Sequence, residues 1–375
     1  MRRLPSPALT PIVHLVVGAR PNYMKIAPLY RVLESSSWCT PLLVDTGQHS
    51  DPPLSASLRA ALGLPEPAIA LGPGGGRHGE QTARILAAYE QCCVERRPAW
   101  TVVAGDVDST LAAALAAAKL GIPVAHVEAG LRSGDRSMPE ELNRLLTDAL
   151  ADLLWAPSAD AVANLRREGI PDERIDLVGN LMIDTFELLR PEADAATTVS
   201  SLGLEPGGFA VVTLHRPSNV DDPDRLAEGV HALVTLASKM AVVFPVHPRA
   251  RQALETAGLL QLLEQADDVT VLPPLGYVEF ISLLRAARVV VTDSGGVQEE
   301  ATYARIPCVT VRDTTERPVT VEQGTNRLSP SWSDLPAAVV AAIAHGGGAL
   351  EPPPLWDGQA ATRAADSLRR RLTDD

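Results

Sequence analysis

Cysteine is scarce in this chain, positive charge is outnumbered, and no long apolar run is present. Only Cys39, Cys92, Cys93 and Cys308 occur among 375 residues. Cys92 and Cys93 are adjacent and no C-x-x-C is found, so neither a disulfide scaffold nor a zinc site is expected. The thiols read as reduced side chains in packing positions. Lys and Arg total 33 against 46 Asp and Glu, a formal charge of −13. A protein that tracks nucleic-acid phosphates needs a basic stripe, so no nucleic-acid partner is expected. A small anion stays compatible, because a local cluster of Arg and Lys can hold one. No apolar run reaches the ~18 residues of a membrane helix. IVHLVV (12–17) is short and reads as a strand, and Pro5, Pro7 and Pro11 interrupt the segment after Arg2 and Arg3. With no membrane segment or signal peptide read, the expected location is cytoplasmic.

What is present is ordinary globular composition, 46% hydrophobic and 21% charged, over a length that suggests two domains of ~100–200 residues. Apolar runs rich in Val, Ile and Leu recur: 12–17, 41–46, 100–105, 123–128, 152–157 and 174–179, then 209–215, 240–247, 269–274, 287–293 and 306–312. They lack polar alternation, as strands buried on both faces of a parallel sheet do. Helical patterns separate them at 23–35, 79–95, 109–120, 140–150, 158–168, 223–238, 277–286, 296–304 and 333–344. Strand–helix–strand repetition predicts right-handed βαβ units. The stretch 187–208 has no apolar core pattern and reads as a linker plus a surface helix. The fold expected is α/β: two doubly wound domains, 1–187 and 188–355, facing each other across a cleft. Residues 356–375 form a C-terminal helix that could pack back on the first domain, with cations in its last turn.

In open parallel sheets ligands bind beyond the carboxyl ends of the strands. Charged and polar groups follow several of these strands. TDSGGVQEEA (292–301) ends a buried strand and opens a helix with two glycines. Free amides there, with the helix dipole, favour phosphate at Ser294, Gly295 and Gly296; Glu300, one turn in, is placed for ribose hydroxyls. The other reading is a tight turn with an ordinary cap. GARPNYMK (18–25) brings Arg20 and Lys25 to a strand-to-helix junction, either as cations for a departing diphosphate or as solvated surface charges. It lacks the G-K-[ST] of a P-loop. GPGGG (72–76) follows no strand in the dinucleotide arrangement and reads as a flexible loop, so no Rossmann cofactor is expected. Asp106 and Glu128 end successive strands, and Glu140 and Glu141 open a helix in PEELNR (139–144). Carboxylates sharing a cleft can separate their pKa values into an acid and a base, although acids in a first helical turn are also common. His215, ending a strand in TLHRPSN (213–219), is either an acid–base group or a satisfied core histidine. His247 is similar. No G-x-S-x-G elbow and no His-x-x-x-His pair is present, so metal-assisted hydrolysis has no support.

These segments together resemble the non-hydrolysing UDP-N-acetylglucosamine 2-epimerases. The similarity runs in order through GARPNYMK (18–25), TGQH (46–49), GDVDST (105–110), HVEAGLRS (126–133), PEELNR (139–144), TLHRPSN (213–219), PVHPR (245–249), PLGYVEF (274–280), TDSGGVQEEA (292–301) and RDTTERPVT (312–320). The resemblance implies two Rossmann-like domains in the glycosyltransferase-B arrangement, a UDP-sugar in the cleft, a homodimer, and neither cofactor nor metal. It assigns Asp106, Glu128, Glu140 and His215 to catalysis. Arg20 and Lys25 match cations near the phosphates, Ser294, Gly295 and Gly296 the phosphate loop, Glu300 the ribose contact, Phe280 the uracil site and Arg317 a further nucleotide contact. Gln48 and His247 match positions of a second, activating substrate site. The implied chemistry is anti elimination of UDP to 2-acetamidoglucal, followed by re-addition with protonation on the opposite face of C2.

Two departures bear on this. Ser218 stands where many relatives have Glu, and Pro52 and Pro53 are expected to break the helix that usually comes after TGQH. The regulatory site is therefore in question, and altered loops could mean another UDP sugar, such as a 2,3-diacetamido uronic acid. The competing activities are a hydrolysing epimerase that releases ManNAc and UDP, a glycosyltransferase of the same architecture, and a non-catalytic nucleotide-sugar binding protein.

Overall fold

The computed structural model describes residues 10–48, 52–72, 74–345 and 351–373; His49, the last residue of TGQH, lies outside them. The chain divides into two compact units, one running to Thr185 and resuming at Leu355, the other spanning Phe186–Pro354.

The first unit carries β1 (Ile12–Val17), α1 (Arg20–Glu34), β2 (Thr40–Asp45), α2 (Pro52–Ala61), β3 (Ile69–Ala70), α3 (His78–Glu95), β4 (Trp100–Ala104), α4 (Asp108–Lys119), β5 (Val124–Val127), α5 (Pro139–Leu150), β6 (Leu153–Ala156), α6 (Ala159–Arg167) and β7 (Ile175–Leu177). Among the described residues these strands form one parallel sheet in the order β3-β2-β1-β4-β5-β6-β7. The order reverses between β1 and β4, and that reversal makes the crevice where ligands of such sheets bind. Val16, Val44, Val103, Val124 and Leu154 build the core on one face of the sheet. The alanine run of α4 does more than favour a helix. Ala112, Ala113, Ala114, Ala116 and Ala117 are fully buried, and their small side chains let α3 and α5 pack closely on either side.

α7 (Leu181–Ala195) leads into the second unit, which holds α8 (Thr198–Ser201), β8 (Phe209–Thr213), α9 (Pro217–Val220), α10 (Pro223–Ala237), β9 (Ala241–Pro245), α11 (Pro248–Thr256), α12 (Leu260–Glu264), β10 (Val269–Leu272), α13 (Tyr277–Ala286), β11 (Val289–Thr292), α14 (Gly295–Tyr303), β12 (Cys308–Thr310), α15 (Pro318–Glu322), β13 (Asn326–Leu328) and α16 (Leu335–His345). Its parallel sheet runs β10-β9-β8-β11-β12-β13 and reverses between β8 and β11. Val212, Val242, Phe244, Val291 and Trp332 lie in its core.

The last helix, α17 (Ala360–Thr373), belongs to the first unit. The Asp184 carboxylate accepts from the backbone amides of Ala360 at 2.8 Å and Ala361 at 2.9 Å, capping its N-terminus. Trp155 Nε1 donates to Ser367 Oγ at 2.9 Å. Gly179, at φ +92°, lies so close to the Leu355 carbonyl that a side chain there would collide with it.

The structure corrects two expectations. In the stretch 187–208, expected as a linker plus a surface helix, α7 continues as far as Ala195 with Pro191 inside it. Pro52 and Pro53 do not break a helix; α2 starts at Pro52, where a missing N–H costs nothing because first-turn amides have no intrahelical acceptor. In the glycine run, Gly72 and Gly75 have open space around them, while Gly74 lies against the Gly47 carbonyl with no room for a side chain. All four cysteines are free and buried.

Candidate active site

In the first unit the site begins where β1 ends. The Asn22 carboxamide accepts from the amides of Gly18 at 3.1 Å and Ala19 at 2.9 Å. Its amide nitrogen donates to the Ala104 carbonyl at 2.8 Å, so one side chain ties the carboxyl ends of β1 and β4 together. One turn into α1, the buried Lys25 ammonium forms an ion pair with the Glu128 carboxylate. Glu128 follows β5 with φ +72°, a left-handed conformation rare for a glutamate. Such a backbone persists only when its surroundings hold it, and it is a common mark of functional sites. Gly105 lies beneath the pair. A Cβ there would come within 2.9 Å of Lys25 Nζ and 3.4 Å of Glu128 Oε2.

Asp106, half-buried, meets Arg144 Nη2 at 2.5 Å. Arg144 also holds Glu141 at 2.7 Å, and Glu141 accepts from the amides of Ser133 at 2.9 Å and Gly134 at 3.0 Å. Burial would raise the Glu141 pKa, but these amides and Arg144 outweigh it and hold the carboxyl below its usual range. Asp106 and Glu128 therefore each face their own cation. Glu140, in the first turn of α5, is half-exposed and has no partner among the described residues. Arg20 is exposed. Gln48 accepts from the Ser109 amide at 2.9 Å and the Ser109 hydroxyl at 2.6 Å, at the start of α4.

In the second unit the site again sits at the sheet reversal. Asp293, fully buried after β11, accepts from the amides of His215 at 3.1 Å and Arg216 at 2.9 Å and from Asn219 Nδ2 at 3.2 Å. It pairs with His215 Nδ1 at 2.8 Å. Burial would raise its pKa, yet His215 and these donors keep it below the usual carboxylate range. A carboxylate on Nδ1 orients the ring and leaves Nε2 as its working nitrogen. The His247 ring lies 5.8 Å from that of His215, and its Nδ1 accepts from the Arg249 amide at 3.3 Å.

α14 opens at Ser294-Gly295-Gly296, where the first amides of a helix have no intrahelical acceptor. Arg317 lies against this turn, since a Cβ on Gly295 would be 2.5 Å from its Nη1. Arg317 pairs with Glu299 at 2.8 Å. Glu316, fully buried, holds Arg312 at 2.8 Å and Arg216 at 3.1 Å. Glu300 accepts from the Tyr277 hydroxyl at 2.8 Å. Its pKa is pushed up to about 8, first by burial and then by the charge of Glu299, so it is mostly neutral at pH 7. Phe280 is half-buried against the apolar cluster of α13.

The UDP-N-acetylglucosamine 2-epimerase family pattern matches residues 31–369. The chain belongs to that family. It is 40% identical over 323 residues to the UDP-N-acetylglucosamine 2-epimerase of Methanocaldococcus jannaschii, covering 84% of this chain and 87% of that protein. It is also 40% identical over 323 residues to the UDP-2,3-diacetamido-2,3-dideoxy-D-glucuronate 2-epimerase of Pseudomonas aeruginosa, 85% of this chain and 88% of the relative. The crystal structure of the M. jannaschii UDP-GlcNAc 2-epimerase in complex with UDP-GlcNAc and UDP matches with a TM-score of 0.88 at 36% identity, over 97% of this chain and 100% of that one.

Within this 2-epimerase chain, the sequence-based site residues fall into groups. Lys25, Asp106 and Glu128 gather at the first sheet reversal; His215, Ser294, Gly295, Gly296, Glu300 and Arg317 gather at the second. Sequence reasoning gave no individual role to Asn22, Arg144, Asp293, Tyr277 or Glu316; Asp293 and Glu316 stood out only as charged groups that follow strands. The pairing of Asp293 with His215 follows from the fold, because Asp293 directly follows β11, the strand paired with the one that leads into His215. Arg144 carried a weaker signal, three residues after Glu141 on one helical face. Among the described residues no helix is long and apolar enough to cross a membrane, and no group of three metal-ligating side chains occurs.

Proposed function

We propose that the protein interconverts UDP-GlcNAc and UDP-ManNAc at C2 by elimination and re-addition of UDP. The observation that supports this best is the pair of cation-held carboxylates at the first sheet reversal, Glu128 on Lys25 and Asp106 on Arg144, in a chain of the 2-epimerase family. The C2 proton is weakly acidic, so its removal needs a positioned carboxylate. Breaking the C1–oxygen bond needs preorganised charge at the departing diphosphate.

In this mechanism UDP leaves toward the α14 amides, Arg317 and the cations Arg20 and Lys25, while the nucleoside is held by Glu300 and the 274–280 segment with Phe280. A carboxylate from Asp106, Glu128 and Glu140 removes the C2 proton as the C1–oxygen bond breaks, giving 2-acetamidoglucal. UDP then re-adds through oxygen at C1 while a protonated acid of the site delivers a proton to the other face of C2. The base is assigned to this set rather than to one member. His215, oriented by Asp293, supplies a further acid–base group. Elimination and re-addition is redox-neutral and uses no bound cofactor. Gln48 and His247 are proposed as contacts of a second, regulatory nucleotide site.

Incubation with UDP-GlcNAc in D2O, followed by NMR, tests the proposal. UDP-ManNAc with deuterium at C2 is expected. Free ManNAc with UDP would replace the reading by hydrolysis. Asp106→Asn and Glu128→Gln are expected to abolish exchange with UDP binding retained; undiminished exchange refutes their role. The equal identity to the Pseudomonas relative favours a second reading, a UDP-2,3-diacetamido uronic acid as substrate. A parallel reaction with that sugar decides between them by kcat/KM.

A further inference from the structure

Glu316 is in the wrong place to contact a ligand and in the right place to organise its neighbours. Its carboxylate is fully buried, yet three guanidiniums from three segments converge on it. Arg312, just past β12, donates to both oxygens, Nη1 to Oε2 at 2.8 Å and Nη2 to Oε1 at 3.1 Å. Arg216, after β8, donates from Nη2 to Oε1 at 3.1 Å. Arg317, on the loop into α15, brings Nη1 to 3.7 Å from Oε2. Burial alone would raise the Glu316 pKa; Arg317, Arg312 and Arg216 overcome that and drive it far below the carboxylate range.

We propose that Glu316 is a positioning residue that gathers Arg216, Arg312 and Arg317 into one cationic cradle for the diphosphate of a nucleotide, beside the first turn of α14. The inference rests on the nucleotide-sugar reading above. Three like charges repel one another unless an anion sits among them, and planar guanidiniums keep a fixed orientation only when paired in a fork. Glu316 supplies both conditions. Glu299 takes a second share of Arg317 at 2.8 Å, and Glu300 is mostly uncharged at neutral pH. The guanidiniums thus gather around Glu316, with Arg317 lying against the first turn of α14, whose Gly295 and Gly296 amides have no intrahelical acceptor. Gly295 completes the arrangement, because only a missing Cβ lets Arg317 lie against the turn.

The test compares UDP with uridine, which lacks the diphosphate. Affinities of both are measured by calorimetry for wild type, Glu316→Gln and Glu316→Asp, with melting temperatures alongside. Glu316→Gln is expected to lose about 10- to 100-fold in UDP affinity, the range for charge-assisted hydrogen bonds, with uridine affinity unchanged. Glu316→Asp is expected to recover part of the loss. Arg312→Lys, which keeps the charge and removes the fork, provides a milder variant should Glu316→Gln not fold, and is expected to weaken UDP selectively. Equal losses for UDP and uridine, or no loss for either, overturn the proposal. Failure of wild type to bind UDP at all overturns the nucleotide-sugar reading and the cradle with it.

Discussion

Replacing Glu300 with Gln is expected to stabilise the protein and impair it at once. Glu300 is 3% exposed, accepts from Tyr277 at 2.8 Å and lies beside Glu299. Burial first, and the Glu299 charge second, push its pKa from 4.5 up to about 8, while the Tyr277 hydrogen bond pulls the other way. Between those values the folded protein keeps a proton that the unfolded chain has released. Stability therefore falls as pH rises through this window, and is level on either side of it. At about 1.4 kcal/mol per pKa unit, the penalty is about 3 kcal/mol at pH 7 and approaches about 5 kcal/mol above pH 8. A glutamine side chain at this position cannot ionise and can still accept from Tyr277. Glu300→Gln should match wild type near pH 5 and melt higher at pH 8.5, by several degrees for a unit of this size. Ligand-free thermal melts of both proteins from pH 5 to 9 provide the assay. Parallel curves, or a variant less stable than wild type at pH 8.5, would refute the reasoning. If Glu300 contacts the ribose, the same variant should lose about 10-fold in UDP affinity, a gain in stability made at the expense of function.

Other expectations are simpler to state. Asp293→Asn replaces the acceptor that orients His215; turnover should fall at least ~100-fold with UDP affinity within a few-fold, and near-normal turnover would remove Asp293 from the mechanism. Gly295→Ala puts a methyl 2.5 Å from Arg317 Nη1; UDP affinity should drop by about 10-fold with the circular-dichroism spectrum unchanged. Unchanged affinity would mean that Arg317 can swing aside without cost. Gly179→Ala combines a φ of +92° with a collision against the Leu355 carbonyl. It should cost about 2–3 kcal/mol in stability, and an unshifted melting temperature would contradict the close packing there.

The long buried strands were legible because Val, Ile and Leu run without alternation, as in β4, β8 and β11. β3 has two residues and β13 three, too few for any period to register. The end of α7 was read in part as a linker because Pro191 and the polar residues around it mimic one, although the helix continues past the proline. At the site, groups that directly follow a strand were readable from the chain: Asp106, Glu128, His215 and the Ser294–Gly296 turn. What stayed hidden was pairing at a distance. Lys25 was readable as a cation beside a strand end, but its pairing with Glu128, 103 positions away, was not. Arg216 and Glu316 are 100 positions apart. Glu140 and Glu141 are adjacent and chemically alike, yet Glu141 is locked to Arg144 and two amides while Glu140 points to no partner among the described residues. Sequence names the types of side chain at a sheet edge; only the packing of neighbouring strands and helices decides which of them neutralise one another.

The return of the chain to its first unit has a consequence for how the protein is made. The second unit is one unbroken stretch, Phe186–Pro354, and all of it is synthesised before α17. The first unit is begun earlier but cannot be finished until Ala360–Thr373 has emerged from the ribosome, because Asp184 waits for the amides it caps and Trp155 for Ser367. Domains usually mature in the order in which they are translated. Here the order inverts: the nascent chain must carry an unfinished N-terminal half while the C-terminal half folds. A fragment 186–354 is then the natural candidate for separate expression, whereas a chain truncated at Thr185 would leave the seat of α17 bare.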